Sequence, residues 1–185
     1  MKIGIAGAGL CGRLVAFLMA QQGHSVSVFD PASGPTDPAA AAFTAAGMLS
    51  PLAELETADE NVYRFGERSA SLWTHIVPKL SLPVELLFRG SLMLAHRGDE
   101  GAAQRIISLI TRKAPDNKLP VLLSREQLAS EEPSIQGPAH AWLLPDEGQI
   151  HTRQAMQALA ASCPDTHWHW QQKVVSLSPG KIHTE

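Results

Sequence analysis

The stretch Lys2-Ile3-Gly4-Ile5-Ala6-Gly7-Ala8-Gly9-Leu10-Cys11-Gly12, continued through Arg13 to Gln22 and closed by Gly23-His24-Ser25-Val26-Ser27-Val28-Phe29-Asp30, decides the fold of this chain. Lys2 to Ala6 alternates as a strand does, Leu10 to Gln22 sets Leu10, Leu14, Phe17 and Leu18 at helical spacing, and Ser25 to Phe29 puts Val26 and Val28 on one strand face. Gly23 supplies the helix stop. Together these make a βαβ unit, and that context gives the glycines their meaning. Gly7 permits a tight turn, Gly9 lets the backbone approach a pyrophosphate, and Gly12 allows close helix–strand packing. Leu10 and Cys11 lie at the helix start, whose free N–H groups and partial positive charge suit phosphates. Asp30 follows at the ~20-residue distance of an acidic group that hydrogen-bonds a ribose hydroxyl, and its charge disfavours a 2′-phosphate there.

The rest of the composition narrows the function classes. Of 185 residues, 44% are apolar and 18% charged, an ordinary globular composition. Fifteen basic against 18 acidic side chains give a net charge of -3 with no Lys/Arg block, which argues against a nucleic-acid or membrane-surface binder. Cys11 and Cys163 are too few for a disulfide framework, so a reducing compartment, the cytoplasm, is expected. The apolar run from Met1 to Ala20 resembles a signal peptide only superficially: Arg13 interrupts it and four glycines break it, so these residues are expected to belong to the mature fold.

Further along, Pro31 to Pro38 reads as a loop, Ala39 to Ala46 as an alanine-rich helix stopping at Gly47, and Asn61 to Leu80 as a helix. The last carries Val62, Phe65, Ser69, Leu72, Trp73, Ile76 and Leu80 on one face, expected to be buried. Strands are expected at Glu85–Phe88, Ser91–Ala95, His140–Leu144, Thr166–Trp170, Lys173–Leu177 and Lys181–Thr184. Helices are expected over Glu100–Lys113, after a Ser124/Gln127 capping box, and from a Thr152 cap through Ala161. The pattern implies an α/β nucleotide-binding domain interrupted by an antiparallel insert. Residues 1–80 form its first part, 81–145 the insert, and 146–185 the return.

Glycines and Asp30 suit NAD as well as FAD, which keeps a nicotinamide-dependent dehydrogenase as an alternative. The next segment separates the two. Ala41-Ala42-Phe43-Thr44-Ala45-Ala46-Gly47-Met48-Leu49-Ser50-Pro51, followed by Ala53-Glu54, resembles the segment beside the flavin in the D-amino-acid oxidase/glycine oxidase family of FAD-dependent amine oxidoreductases. Phe88 to Leu94, Leu128 to Ile135 and Gly148-Gln149-Ile150-His151 resemble successive parts of the same family, and Lys173-Val174-Val175 its strand whose valine backbone meets the adenine.

The resemblance implies a glutathione-reductase-like, Rossmann-type FAD-binding domain with a substrate-domain insert of antiparallel strands and helices. It implies hydride transfer from the α-carbon of a small amine or amino acid to flavin N5, imine hydrolysis, and reoxidation by oxygen or a quinone. It places Ala46, Gly47 and Met48 at the flavin end and the Val174 backbone at the adenine. Family members commonly carry a Ser or Thr hydroxyl for the pyrophosphate where this chain has Ala42-Phe43, so either Thr44 substitutes or the contact is lost. Such enzymes are about twice this length, with substrate-anchoring Arg and Tyr groups in the later half. These 185 residues alone are therefore expected to be inactive, to hold flavin weakly, and either to self-associate or to need a C-terminal half. A non-catalytic FAD-binding module is a third reading.

Other residues carry less. His167 and His169 share a strand face but lack further ligands at metal spacing, so no metal is expected. Cys11 is expected to pack, Trp73 and Met93 to be core, and Arg89 to be solvated.

Overall fold

The computed structural model describes residues 1–185. In chain order the elements are β1 (Lys2–Ala6), α1 (Leu10–Gln21), β2 (Ser25–Asp30), β3 (Met48–Leu49), α2 (Pro51–Glu54), α3 (Glu60–Ile76), β4 (Leu86–Leu87), β5 (Ser91–Ala95), α4 (Glu100–Lys113), β6 (Val121–Leu123), α5 (Arg125–Glu131), β7 (His140–Leu144), β8 (Gly148–Ile150), α6 (Thr152–Ala161), β9 (His167–Trp170), β10 (Val174–Ser178) and β11 (Lys181–Thr184). They divide into two units. The first holds Met1–Gly47, His75–Glu85 and Ile150–Glu185, and the second Met48–Thr74 and Leu86–Gln149.

In the first unit, β1 and β2 pair in parallel from Lys2↔Ser25 to Ala6↔Phe29, and β9 pairs in parallel with β2 from Ser27↔His167 to Asp30↔Trp170. Val26 and Val28 are buried with Ala8 and Ala16, and Ile5, Trp168 and Trp170 pack against them. The buried face of α1 is Arg13, Ala16 and Phe17, with Leu18 exposed, so a guanidinium occupies a place where an apolar stripe was expected. Cys11 is exposed rather than packed. His169 stacks on Phe29 with ring centroids 4.4 Å apart.

Ala39 to Ala46 does not form the expected helix. Only Ala41–Phe43 makes a 3-10 turn, in which Phe43 alone is buried. Alanine propensity cannot offset helix nucleation without an apolar face to bury. At the start of α6, His151 and not Thr152 is the cap, its ring Nδ1 accepting the Gln154 N–H at 3.3 Å.

In the second unit, β5, β7 and β6 form one antiparallel sheet, with β7 central, and β3, β8 and β4 form another. Its core gathers Leu52, Leu55, Tyr63, Ala95, Ala103, Ile107, Ile110, Trp142 and Leu144. By packing, residues 48–74 therefore go with this unit rather than with Met1–Gly47. The Ser124/Gln127 capping box is present on α5. Helix α3 exists as expected, though it ends at Ile76, and Trp73 is buried as expected while the rest of the buried face differs. Tyr63 and Trp73 are buried and Gly66 lies against Pro51, while Val62, Phe65 and Leu72 are exposed, Phe65 by 70%.

The unit also contains a buried carboxylate. Glu147 is 1% exposed; it accepts the Ala53 N–H at 2.7 Å and a hydrogen bond from the Ser91 hydroxyl, while its own carbonyl accepts the Gly90 N–H at 2.9 Å. One side chain thus joins β5, α2 and the β7–β8 turn. Burial pushes its pKa up, opposed by hydrogen bonds from Ser91 and from the Ala53 and Leu52 amides.

Two outcomes test this packing. Trp73→Ala should cost about 3–5 kcal/mol, and Phe65→Glu should stay within about 0.5 kcal/mol of the parent in urea unfolding. Equal losses would contradict the observed face. Because the folded pKa of Glu147 is raised, its stabilising contribution is complete below the unfolded glutamate pKa of about 4.3 and is lost as pH rises through the folded value. Between those values the parent should lose stability relative to Glu147→Gln, and parallel pH profiles would refute the assignment.

Candidate functional site

The loop between β1 and α1 is fixed before any ligand is considered. Gly7 adopts φ +98°, a left-handed conformation that favours glycine, and its N–H donates to the Phe29 carbonyl at 2.8 Å. A Cβ on Gly12 would run into the Gly7 carbonyl, so only glycine allows α1 to start this close to the turn. Above Gly9 nothing lies within 4 Å of where a Cβ would stand, which leaves the helix start open. No side chain caps α1 and no acidic residue stands in its first turn. The first-turn amides at Leu10, Cys11 and Gly12 have no intrahelical acceptor and are available to an anion.

Asp30 ends β2 beside this loop. One carboxylate oxygen accepts the Ala8 N–H at 2.6 Å and the other the Ala32 N–H at 2.8 Å. An ionised carboxylate has about four lone-pair sites, so two protein bonds leave capacity for a hydroxyl donor. The Gln172 N–H donates to the Asp30 carbonyl at 3.0 Å, bringing the chain that leads into Val174 to the end of β2.

Beneath the loop lies a residue that sequence reasoning passed over as a mere interruption. Arg13 is 2% exposed, and its Nε donates to the Ala8 carbonyl at 2.7 Å, Nη1 to Met156 at 2.7 Å and Nη2 to Pro35 at 2.9 Å. Its guanidinium lies 5.7 Å from the ring centroids of both Phe43 and Trp170. Burial lowers its pKa, and the nearby Asp30 charge opposes that shift. The signal was present, because positions 13, 16, 17 and 20 lie on one helical face; the three carbonyls it meets had no local signature.

Of the remaining expected residues, Thr44 is exposed and its hydroxyl donates to the Ala41 carbonyl at 3.0 Å. Residues 43–47 are held within the first unit by the Ile150 N–H on the Gly47 carbonyl at 2.9 Å, Thr152 Oγ1 on Ala45 and Arg153 Nε on Phe43, both at 3.2 Å. Gly47 has φ +78°, and a Cβ there would strike the Ile150 carbonyl. Ala46 is exposed in this segment. Val174 opens the β10–β11 hairpin, paired with Thr184. Met48 belongs to the second unit, where it pairs with Gln149 and is 57% exposed. Gly7, Gly9, Leu10, Cys11, Gly12 and Asp30 thus come together at one end of the parallel sheet.

Residues 2–183 match the DAO family, described as FAD dependent oxidoreductase. The chain is 31% identical over 179 residues to the thiamine biosynthesis oxidoreductase ThiO of Rhizobium etli, covering 96% of this chain and 50% of that protein. It is 30% identical over 178 residues to the tRNA 5-methylaminomethyl-2-thiouridine biosynthesis bifunctional protein MnmC of an Azoarcus species, covering 92% of this chain and 26% of that one. Glycine oxidase from Geobacillus kaustophilus shares the fold with a TM-score of 0.81 at 21% identity, over 98% of this chain and 50% of that one. The chain spans half the length of the Rhizobium and Geobacillus proteins. The α/β fold with a Rossmann-type unit is the one expected, and with the family match running from β1 to β11 the chain belongs to the DAO family of FAD-dependent oxidoreductases.

Proposed function

We propose that this chain is the dinucleotide-binding part of an enzyme that oxidises a small amine or amino acid with FAD. The observation that carries the reading is the open glycine loop with uncapped first-turn amides beside the Asp30 carboxylate, in a chain of this family. The residues present fit the cofactor. Gly7, Gly9 and Gly12 shape the loop, the amides of Leu10, Cys11 and Gly12 hold the pyrophosphate, and Asp30 accepts from the adenosine ribose. The Val174 backbone meets the adenine. Thr44 would donate its hydroxyl proton to the phosphates by giving up the Ala41 carbonyl that it holds at 3.0 Å. Ala46, Gly47 and Met48 line the flavin end, with the first unit acting as FAD-binding domain and the second as part of the substrate domain.

Flavin, when bound, supplies the two-electron acceptor for oxidation of the substrate's carbon–nitrogen bond. The protein's share is orientation. The Gly47 turn, pinned to Ile150, Thr152 and Arg153 through the 43–47 carbonyls, fixes where the backbone can approach the ring system. No helix is long and apolar enough to cross a membrane. On its cysteine usage, with Cys11 and Cys163 both free, we place the protein in a reducing compartment, the cytoplasm, with a small-molecule substrate.

The full-length gene product should oxidise members of an amino-acid and amine panel, read by peroxide or by dye reduction. Turnover confined to hydroxy acids would overturn the substrate class. Gly12→Val, which drives a side chain into the Gly7 carbonyl, should abolish the rise in melting temperature that ADP gives the parent. An undiminished rise in the variant would remove the loop from the site.

A further inference from the structure

The two peptide groups that flank Ala8 are clamped from the protein interior. Arg13 Nε holds the Ala8 carbonyl at 2.7 Å, and the Asp30 carboxylate holds the Ala8 N–H at 2.6 Å. In a trans peptide the C=O and the following N–H point in opposite directions. No peptide bond in this chain is cis, so the Ala8 carbonyl turned inward to Arg13 turns the Gly9 N–H outward, and a Cβ on Gly9 would itself meet nothing within 4 Å. The guanidinium cannot follow if the loop swings, because its other two nitrogens are bound to Met156 on α6 and to Pro35 in the loop after β2. Phe43 and Trp170 close over it at 5.7 Å.

We propose that Arg13 is a positioning residue for dinucleotide binding: through the Ala8 carbonyl it aims the Gly9 amide at the pyrophosphate and ties the phosphate loop to α6 and to the loop after β2. This rests on the dinucleotide reading above. Lysine keeps the charge, but it carries a methylene at the place of arginine Nε and its ammonium comes one atom further out, so the Ala8 clamp made by Nε is the bond it gives up.

The test measures binding of ADP and of adenosine to the full chain and to Arg13→Lys and Arg13→Gln. A substitution that only lowers the folded fraction weakens both ligands by the same factor. Arg13→Lys should instead weaken ADP by about tenfold or more, the scale of one lost charged hydrogen bond, and leave adenosine within about twofold. Equal losses for the two ligands, or none, would overturn the inference. If neither variant folds, the parent decides it by ¹⁵N spectroscopy. The Gly9 amide should shift with ADP and not with adenosine, and the Arg13 Nε–H should be protected from solvent exchange. A Gly9 amide indifferent to ADP, or a rapidly exchanging Arg13 Nε–H, would refute it. A parent that binds neither ligand removes the dinucleotide reading itself, and the inference with it.

Discussion

A buried guanidinium that must find acceptors is the constraint from which the first unit follows. Removing a charged group from water costs several kcal/mol, and a hydrogen bond to a charged group returns about 1.5–3 kcal/mol, so one carbonyl is not enough. Arg13 has three, drawn from the phosphate loop, the loop after β2 and the middle of α6. Segments far apart in sequence converge because each offers a backbone oxygen to the same side chain. Asp30 completes the arrangement from the other side of Ala8, so the loop is held by two opposite charges acting on one residue's backbone. Rigidity obtained this way leaves the outward-facing amides unspent, which is what an anion site requires.

The second unit uses the same device with the opposite charge. Glu147 is buried and bonded to Ser91 and to the amide of Ala53, joining a strand, a short helix and a turn that no apolar stripe would align. Around it the core is conventional: Ile107 and Ile110 on α4 meet Leu52, Leu55, Tyr63 and Trp142. Lys113 adds a further tie, its ammonium donating to the carbonyls of Leu55 and Ala58 at 2.7 and 2.8 Å. In both units polar groups set which segments meet and apolar burial supplies most of the driving force.

This division explains what the sequence disclosed. The βαβ opening, the glycine loop and the extents of β5, α4, β7 and β11 were legible because each is written in local periodicity or turn chemistry. The face of α3 was legible only at Trp73, since Val62, Phe65 and Leu72 form as good an apolar stripe as the one that is buried. On the buried face Gly66 lies against Pro51, where an added Cβ would come within 2.8 Å of the proline ring. β4 forms within the strand expected at Glu85–Phe88, whereas the two-residue β3 carries too few residues to show a period and β6 is largely exposed, so the existence of these two depends on partners. At the site, glycines and Asp30 declared themselves by spacing, whereas nothing local marked Arg13 there, or Glu147 in the second unit, as buried. Only their positions in three dimensions reveal what they hold.

The central claim is that the glycine loop and Asp30 hold the dinucleotide of FAD. The most direct measurement is the identity and amount of nucleotide released on denaturing the purified full-length protein. The account predicts FAD in amounts comparable to the protein, lost in Gly12→Val. A protein that releases no flavin and binds NAD saturably would contradict it.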